Sequence, residues 1–320
     1  MSVETGYTQS LVEKIKAEMR KAIINQEFLT DMALTALLSG GHVLLEGVPG
    51  LAKTLWVRAL SRVLSVEFKR VQFTSDLMPA DILGTKVFHA KRARFYLKKG
   101  PLFTNLFLAD EINRTPPKTQ SALLEVMAER RITIDGQSHE LSEPFMVLAT
   151  QNPIEYEGTY PLPEALADRF MMKLLLSYPG VAAEKTILQM YGSGFKSETL
   201  AGTEITAVCG ARELANCREE ISAVRVDDSI MNYIVSIVET TRRINAVSIG
   251  ASPRGTVSLL LTAKARAAAC GRDFVLPDDI KELAPPILRH RIILKPEAEI
   301  DGLKTDAVIE NILSQVKVPR

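Results

Sequence analysis

Residues 43–54, VLLEGVPGLAKT, run an apolar strand into a glycine-rich turn that ends in Lys53 and Thr54. The strand delivers the backbone to Gly47 and Gly50, where the missing Cβ lets the chain wrap an anion with successive N–H groups pointing inward. A helix is predicted to start at about Lys53, its N-terminal dipole facing the same anion. The expected phosphate cradle is therefore Gly47, Val48, Pro49, Gly50, Leu51, Ala52, Lys53, Thr54 and Leu55. Lys53 would reach the outer phosphates of ATP and the Thr54 hydroxyl would ligate Mg2+. One position departs from the strict pattern: Ala52 stands where glycine is expected, and its methyl group fits if its φ stays negative.

Outward from that loop, the pattern alternates. Residues 8–38 read as two helices, one with Leu11, Val12, Ile15 and Met19 on a face, the other with Phe28, Met32, Leu34, Ala36 and Leu37. Strands are predicted at 42–45, 66–72, 106–109, 146–150 and 173–176, with helices after the loop to about Leu64, over 116–129 and near 163–168. Short apolar strands alternating with helices imply an α/β fold, a parallel sheet covered on both faces. Beyond Tyr178–Pro179–Gly180 the periodicity turns helical. Ile230, Tyr233, Ile234, Ile237, Val238 and Thr241 mark one face; Val257, Leu260, Leu261, Ala265 and Ala268 mark another, opened by Ser252 as N-cap and Pro253. A shorter helix begins at Pro277 and is expected to stop at Pro285 and Pro286, and a last one fits 305–316. The chain divides on this reading into an α/β core, 1–180, and a smaller all-α domain, 181–320.

The 320 residues suffice for two domains or one large one, and 46% hydrophobic with 24% charged residues is ordinary for a globular protein. A net charge of +1 gives no global field for nucleic acid or membrane. Cys209, Cys217 and Cys270 have no metal-ligand spacing, and they read as small buried residues in a reducing compartment. The four histidines are scattered, which argues against a protein-bound transition metal. The N-terminus shows no signal sequence and no apolar run approaches membrane-spanning length, so the expected location is the cytoplasm. Trp56 reads as core or interface packing, not as a stacking surface for a base.

Residues 106–111, LFLADE, form an apolar strand that ends in two adjacent carboxylates. In a doubly wound sheet the ligand lies beyond the carboxyl ends of the strands, which puts Asp110 and Glu111 beside the phosphates. Asp110 would hold Mg2+ through water, and Glu111 would orient and polarise the attacking water. A further strand, 146–153 MVLATQNP, ends in Thr150, Gln151 and Asn152. A polar tip there can hydrogen-bond the attacking water or the γ-phosphate, or simply form a turn before Pro153.

In this order the motifs resemble the AAA+ ATPases. GVPGLAKT, QFTSDLMPADILG (72–84), LADEINRTPPKTQSALLE (108–125), LATQNP (148–153), LPEALADRF (162–170), GASPR (250–254) and LAPPILRHRIIL (283–294) together are similar to the MoxR family over about residues 20–295. The resemblance implies a P-loop core with a five-stranded parallel sheet, β-hairpin insertions and a helical lid. Members of that family commonly carry Ala before the lysine, as Ala52 does. By resemblance Asn152 is the sensor 1 residue, Arg169 the arginine finger that completes a neighbouring subunit's site, and Arg254 the sensor 2 residue of the lid. A finger acting in trans implies a homo-oligomer, a hexameric ring. The family also implies chaperone-like work on protein clients, including maturation or metal insertion, with von Willebrand factor A domain partners.

Two insertions remain. Residues 85–100 carry six Lys or Arg and no acid, with Phe88, Phe95 and Tyr96 interleaved, and 131–141 alternate around Asp135–Gly136 as a hairpin. The basic hairpin could grip an acidic protein segment or nucleic acid, or be a solvated hairpin with one apolar face. A nucleic-acid-stimulated motor and a metal-chelatase ATPase subunit are the alternative readings. The first is opposed by the low net charge and the absence of a DNA-binding appendage.

Overall fold

Five short segments, four of them mainly apolar, become the strands of one sheet, and their pleat decides which helices cover them. The computed structural model describes residues 6–48, 50–153 and 158–319. The chain opens with α1 (Tyr7–Met19) and α2 (Glu27–Leu38) and enters the sheet at β1 (Val43–Glu46), followed by α3 (Lys53–Val63) and β2 (Phe68–Gln72). A one-turn helix, α4 (Pro79–Leu83), leads into a hairpin of β3 (Gly84–His89) and β4 (Arg94–Lys99). Next come β5 (Leu106–Asp110), α5 (Pro117–Glu129) and a second hairpin, β6 (Arg131–Ile134) with β7 (Gln137–Glu140). β8 (Met146–Gln151), the short α6 (Glu164–Ala167) and β9 (Met172–Leu175) complete the sheet. Its order is β2-β5-β8-β1-β9, and every neighbouring pair is parallel.

Alternate residues of each strand go to opposite faces. Val43 and Leu45, Leu106 and Leu108, and Met146 and Leu148 join the core formed with α1, α2 and α3. Leu44, Phe107, Ala109, Val147 and Ala149 join a second core with α5, Phe73, Ile82 and the apolar side of the β6–β7 hairpin. Phe107 is wholly buried there, a burial worth roughly 2–3 kcal/mol. At the amino end of the sheet, buried His42 accepts the Val147 N–H at Nδ1 (3.0 Å) and its Nε2 meets the Met127 carbonyl at 3.3 Å. Burial, with smaller contributions from the charges of Arg130 and Arg169, pushes its pKa down to about 4.

Beyond β9 the chain is helical: α7 (Val181–Gly192), α8 (Ala211–Ala223), α9 (Asp228–Thr241), α10 (Pro253–Ala269), α11 (Pro277–Leu288), α12 (Pro296–Ile300) and α13 (Thr305–Gln315). A small antiparallel pair, β10 (Val247–Ile249) with β11 (Ile293–Leu294), lies among them. The face expected of α9 is the buried one, residue for residue. Ser252 caps α10 by accepting the Arg254 N–H, and Pro253 takes the first turn as predicted.

Three expectations are corrected. On α10, Val257 and Leu261 are exposed, and Ser258, Leu259, Thr262 and Ala263 are buried instead. The helix is packed by α1, α2, α8, α9 and α11, so it has small residues over a broad arc and no single apolar stripe. Pro285 and Pro286 do not stop α11, which runs on to Leu288. The burial of Leu283, Ala284, Pro286, Ile287 and Leu288 outweighs the missing helical hydrogen bonds. Of the cysteines, Cys209 and Cys217 are buried and Cys270 is exposed. Burial raises the Cys209 and Cys217 thiols to about 12 and about 11, so neither is a ready nucleophile.

Candidate active site

The strand ends set out the site. Register places Gln72 beside Asp110 and Glu46 beside Gln151, so the carboxyl edge of the sheet collects polar groups. The loop from β1 to α3 turns over this edge and encloses an open cleft of about 520 Å3. Residues 47 and 50–55 line it, as do Asp110, Glu111, Thr150 and Asn152. Val48 is half-buried within the loop and Pro49 lies outside the described residues. Gly50 has φ +87°, a conformation that suits glycine. Ala52 does not keep a negative φ: at φ 54°, ψ 25° it is left-handed, a strain of about 1 kcal/mol held by the turn into α3. The closing turn needs that hand whichever small residue occupies the position.

Lys53 begins α3 and its Nζ donates to the Gly47 carbonyl at 2.5 Å. Burial lowers its pKa, and the negative charges of Asp110, Glu111 and Glu46 oppose that shift. An anion among these groups therefore meets a cation already desolvated and aimed inward. Thr54 stands one residue on, at the same helix end.

A single hydroxyl organises the acidic pair. Thr150 Oγ1 donates to Asp110 Oδ1 at 2.6 Å and accepts the Glu111 N–H at 2.8 Å. Glu111 is itself left-handed (φ 56°, ψ 51°), and its carboxylate lies 3.3 Å from Arg114 Nε. A non-glycine residue held there costs of order 1 kcal/mol, and such strain collects where side-chain direction matters. Asn152 is buried at the cleft wall.

An apolar recess of about 180 Å3 shares Gly50, Leu51, Ala52, Leu55 and Tyr191 with the cleft. Ile23, Pro179, Ile187 and Met190 contribute to its walls. Gln26 lines it too; its Nε2 donates to the Leu51 carbonyl at 3.4 Å, while its buried Oε1 has no hydrogen-bond partner among the described residues. A flat base with an exocyclic amine suits this pocket, because the amine satisfies that oxygen and the ring covers apolar wall. Trp56 also borders the recess; it is fully buried, as expected of a core residue, and donates to Thr30 Oγ1 at 3.0 Å.

Thr54 and Asp110 offer hard oxygen donors, and the cleft has room for phosphates. Mg2+ is characteristically held by one or two protein oxygens together with substrate phosphates and water, so the donor set fits. Among the described residues no group of three or more His, Cys, Asp or Glu side chains forms a metal cage.

Two arginines expected to act on the phosphates, Arg254 from the lid and Arg169 on a neighbouring subunit's site, both lie outside the chain's own cleft. Arg254 does not line the cleft; its Nη1 reaches Asp168 Oδ2 at 3.1 Å. Half-buried Arg169 follows Asp168 directly and also lies outside the cleft. Asp168 further accepts from Ser252 Oγ and from Nε of buried Arg291 (2.9 Å). Arg70, Gln26 and the recess were not legible beforehand. Arg70 sits on an unremarkable half-exposed strand, and the recess is assembled from segments some 160 residues apart. The orphaned Gln26 oxygen leaves no mark in sequence.

The family described as "ATPase family associated with various cellular activities (AAA)" matches residues 42–172, and the AAA lid domain matches 239–312. The uncharacterized protein YeaC of Bacillus subtilis is 46% identical over 309 residues, 97% of this chain and 95% of that protein. Chaperone MoxR1 of Mycobacterium tuberculosis is 40% identical over 318 residues, 97% of this chain and 82% of that protein. A crystal structure from Cytophaga hutchinsonii, provisionally described as an ATPase, superposes with a TM-score of 0.90 at 42% identity. The match covers 98% of this chain and 96% of that one. Among the described residues no helix is long and apolar enough to cross a membrane.

Proposed function

The chain belongs to the MoxR family of AAA ATPases, and from that membership we propose that it hydrolyses ATP, with Mg2+, at the carboxyl edge of its sheet. The observation that carries the reading is the joining of one polar cleft to one apolar recess. Lys53, Thr54, Asp110, Glu111 and Asn152 line the cleft, and the orphaned Gln26 oxygen lines the recess. The recess takes the adenine. The N–H groups of loop 47–55 and the Lys53 ammonium take the phosphates, Lys53 exchanging the Gly47 carbonyl for a charged acceptor. Thr54 and Asp110 would hold Mg2+, Asp110 through water, and an ion held there would supply charge neutralisation for the phosphates. Glu111 orients the attacking water and accepts its proton, and Asn152 steadies that water or the γ-phosphate.

Arg169 completes the site of a neighbouring subunit, a role supported by its position outside its own cleft. We extend this to Arg254, which is bound to the residue preceding Arg169. A finger in trans requires assembly, and a hexameric ring is the proposed form, working in the cytoplasm. We divide the chain into a core of 1–180 and a lid of 181–320, whose relative motion would drive a protein client. Chaperone-like remodelling or maturation of protein complexes, metalloproteins among them, with von Willebrand factor A domain partners, is the role proposed on family grounds. A specific observation favours the nucleic-acid alternative: Phe88, Phe95 and Tyr96 are exposed on the basic β3–β4 hairpin. ATPase stimulation by DNA or RNA that falls steeply with salt would select it; stimulation by a protein partner would select the chaperone.

Two variants test the central reading. Lys53→Ala should lose ATP binding, and retained submicromolar affinity would remove the phosphate-loop assignment. Glu111→Gln should bind ATP and lose turnover by about 10²-fold or more. Wild-type turnover in that variant would mean that another group is the base. With ATP bound, the same variant should retain its client for capture.

A further inference from the structure

Arg70 has no place in the mechanism above, yet it forms a two-bond ion pair with the proposed metal ligand. It lies on β2, the edge strand, two residues before the strand ends, and its guanidinium faces the cleft. Nε and Nη2 both donate to Asp110 Oδ2, at 3.0 and 2.7 Å, and Nη2 also donates to Gln72 Oε1 at 2.9 Å. With Thr150 on Oδ1 at 2.6 Å, both carboxylate oxygens of Asp110 already accept from protein donors.

We propose that Arg70 is a tethered cation that competes with the divalent metal for Asp110. A hydrated Mg2+ held through Asp110 needs acceptor capacity on that carboxylate, and it brings two positive charges close to a guanidinium fixed on the same oxygen. The two cations repel, and the side chain, which is 45% exposed, is the one free to move. Arg70 therefore swings into the cleft as the metal arrives. It sets how much metal is needed to load the site, and once displaced it adds a positive group beside the phosphates. Thr150, by contrast, stays on Oδ1 and keeps the carboxylate aimed. The inference rests on the assignment of the cleft as a Mg-nucleotide site.

The test is direct metal binding. Mn2+ serves as the probe, its free signal read by electron paramagnetic resonance in the presence of ADP, so hydrolysis plays no part. Arg70→Met preserves the aliphatic stem on a half-exposed edge strand and should bind Mn2+ about three- to tenfold more tightly than wild type. Arg70→Lys, with one donor head in place of a fork, should fall between. Equal or weaker Mn2+ binding by Arg70→Met overturns the inference, including the case in which only its thermal stability changes. Lys53→Ala should take up no ADP-dependent Mn2+. If the wild type itself takes up none, the nucleotide-site reading fails and carries this one with it. If the wild type binds and Arg70→Met matches it, only the role of Arg70 fails.

Discussion

Asp168 and Arg291, 123 residues apart, meet at 2.9 Å between Oδ1 and Nε, with the arginine side chain only 2% exposed. The guanidinium also donates to the carbonyls of Asp168, Phe170, Met171 and Ile287. Burial pulls its pKa down to about 10 against the pull of Asp168, so it is charged at neutral pH. Removing it would leave a carboxylate and several buried carbonyls short of donors. Arg291→Met should therefore cost roughly 3–5 kcal/mol of stability, read as a drop in urea midpoint. Arg291→Lys should recover only part, since an ammonium cannot span the same fork of acceptors. A loss below 1 kcal/mol for Arg291→Met would show that the junction is held by other contacts.

The neighbouring Arg169 and Arg254 should behave as a pair supplied to another subunit. Each Ala variant is expected to bind ATP near normally and to lose about 10³-fold in turnover. Mixed with Glu111→Gln, each should regain measurable activity, because some interfaces then combine an intact base with an intact arginine. Assembled mixed rings that stay inactive would contradict the arrangement. Rescue with Arg169→Ala alone would return Arg254 to its own subunit's site.

His42 predicts an acid-sensitive fold. Its folded pKa is about 4, against about 6.5 when unfolded. Between these values the unfolded chain binds the extra proton, so stability rises with pH. The contribution is fully present above about pH 6.5 and is lost as pH falls towards 4, to a maximum of about 3 kcal/mol. Buried His290, whose pKa is also depressed by its burial, acts in the same direction. His42→Gln should be less stable than wild type at pH 7 but change less between pH 7 and pH 5. Parallel urea midpoints for the two proteins over that range would rule out the effect.

Ala52 offers a conformational test. Glycine adopts its left-handed φ without strain, though it gains freedom when unfolded. Ala52→Gly should thus keep wild-type stability within about 1 kcal/mol and retain ATP binding. Ala52→Val, β-branched at positive φ, should lose more than that and bind nucleotide weakly. A thermal melt with and without ATP separates the two; a tolerated valine would place Ala52 at negative φ after all.

The legible parts of this protein are those governed by local periodicity. Leu106 to Asp110 alternate between two cores and end in acids, and a strand can be read directly from that. Ile230 to Thr241 bury the expected helical face because α9 has one covered side. α10 is misread since five neighbouring helices surround it, which erases the stripe that periodicity relies on. Pro285 and Pro286 carry a strong local stop signal, overridden by packing on both sides. The loop residues around Lys53 and the Asp110–Glu111 pair are contiguous motifs, so their meeting in one cleft could be anticipated. The partners of Asp168, Asp110 and Gln26 are set by chain crossings over tens to hundreds of residues, and no short window contains them.

Three consecutive lid residues hold the main chain that carries Arg169. Arg289 donates to the Lys173 carbonyl at 3.1 Å, His290 meets that of Phe170 at 2.9 Å, and Arg291 reaches both Phe170 and Met171. Segment 168–173 is thus riveted to the C-terminal helices at its carbonyls, whatever side chains it bears. A tilt of those helices would travel as a push on the backbone of the proposed finger before any side chain had rearranged. In a closed ring, the angle of one subunit's lid and the chemistry of the next subunit's cleft would then be successive links of one drive train.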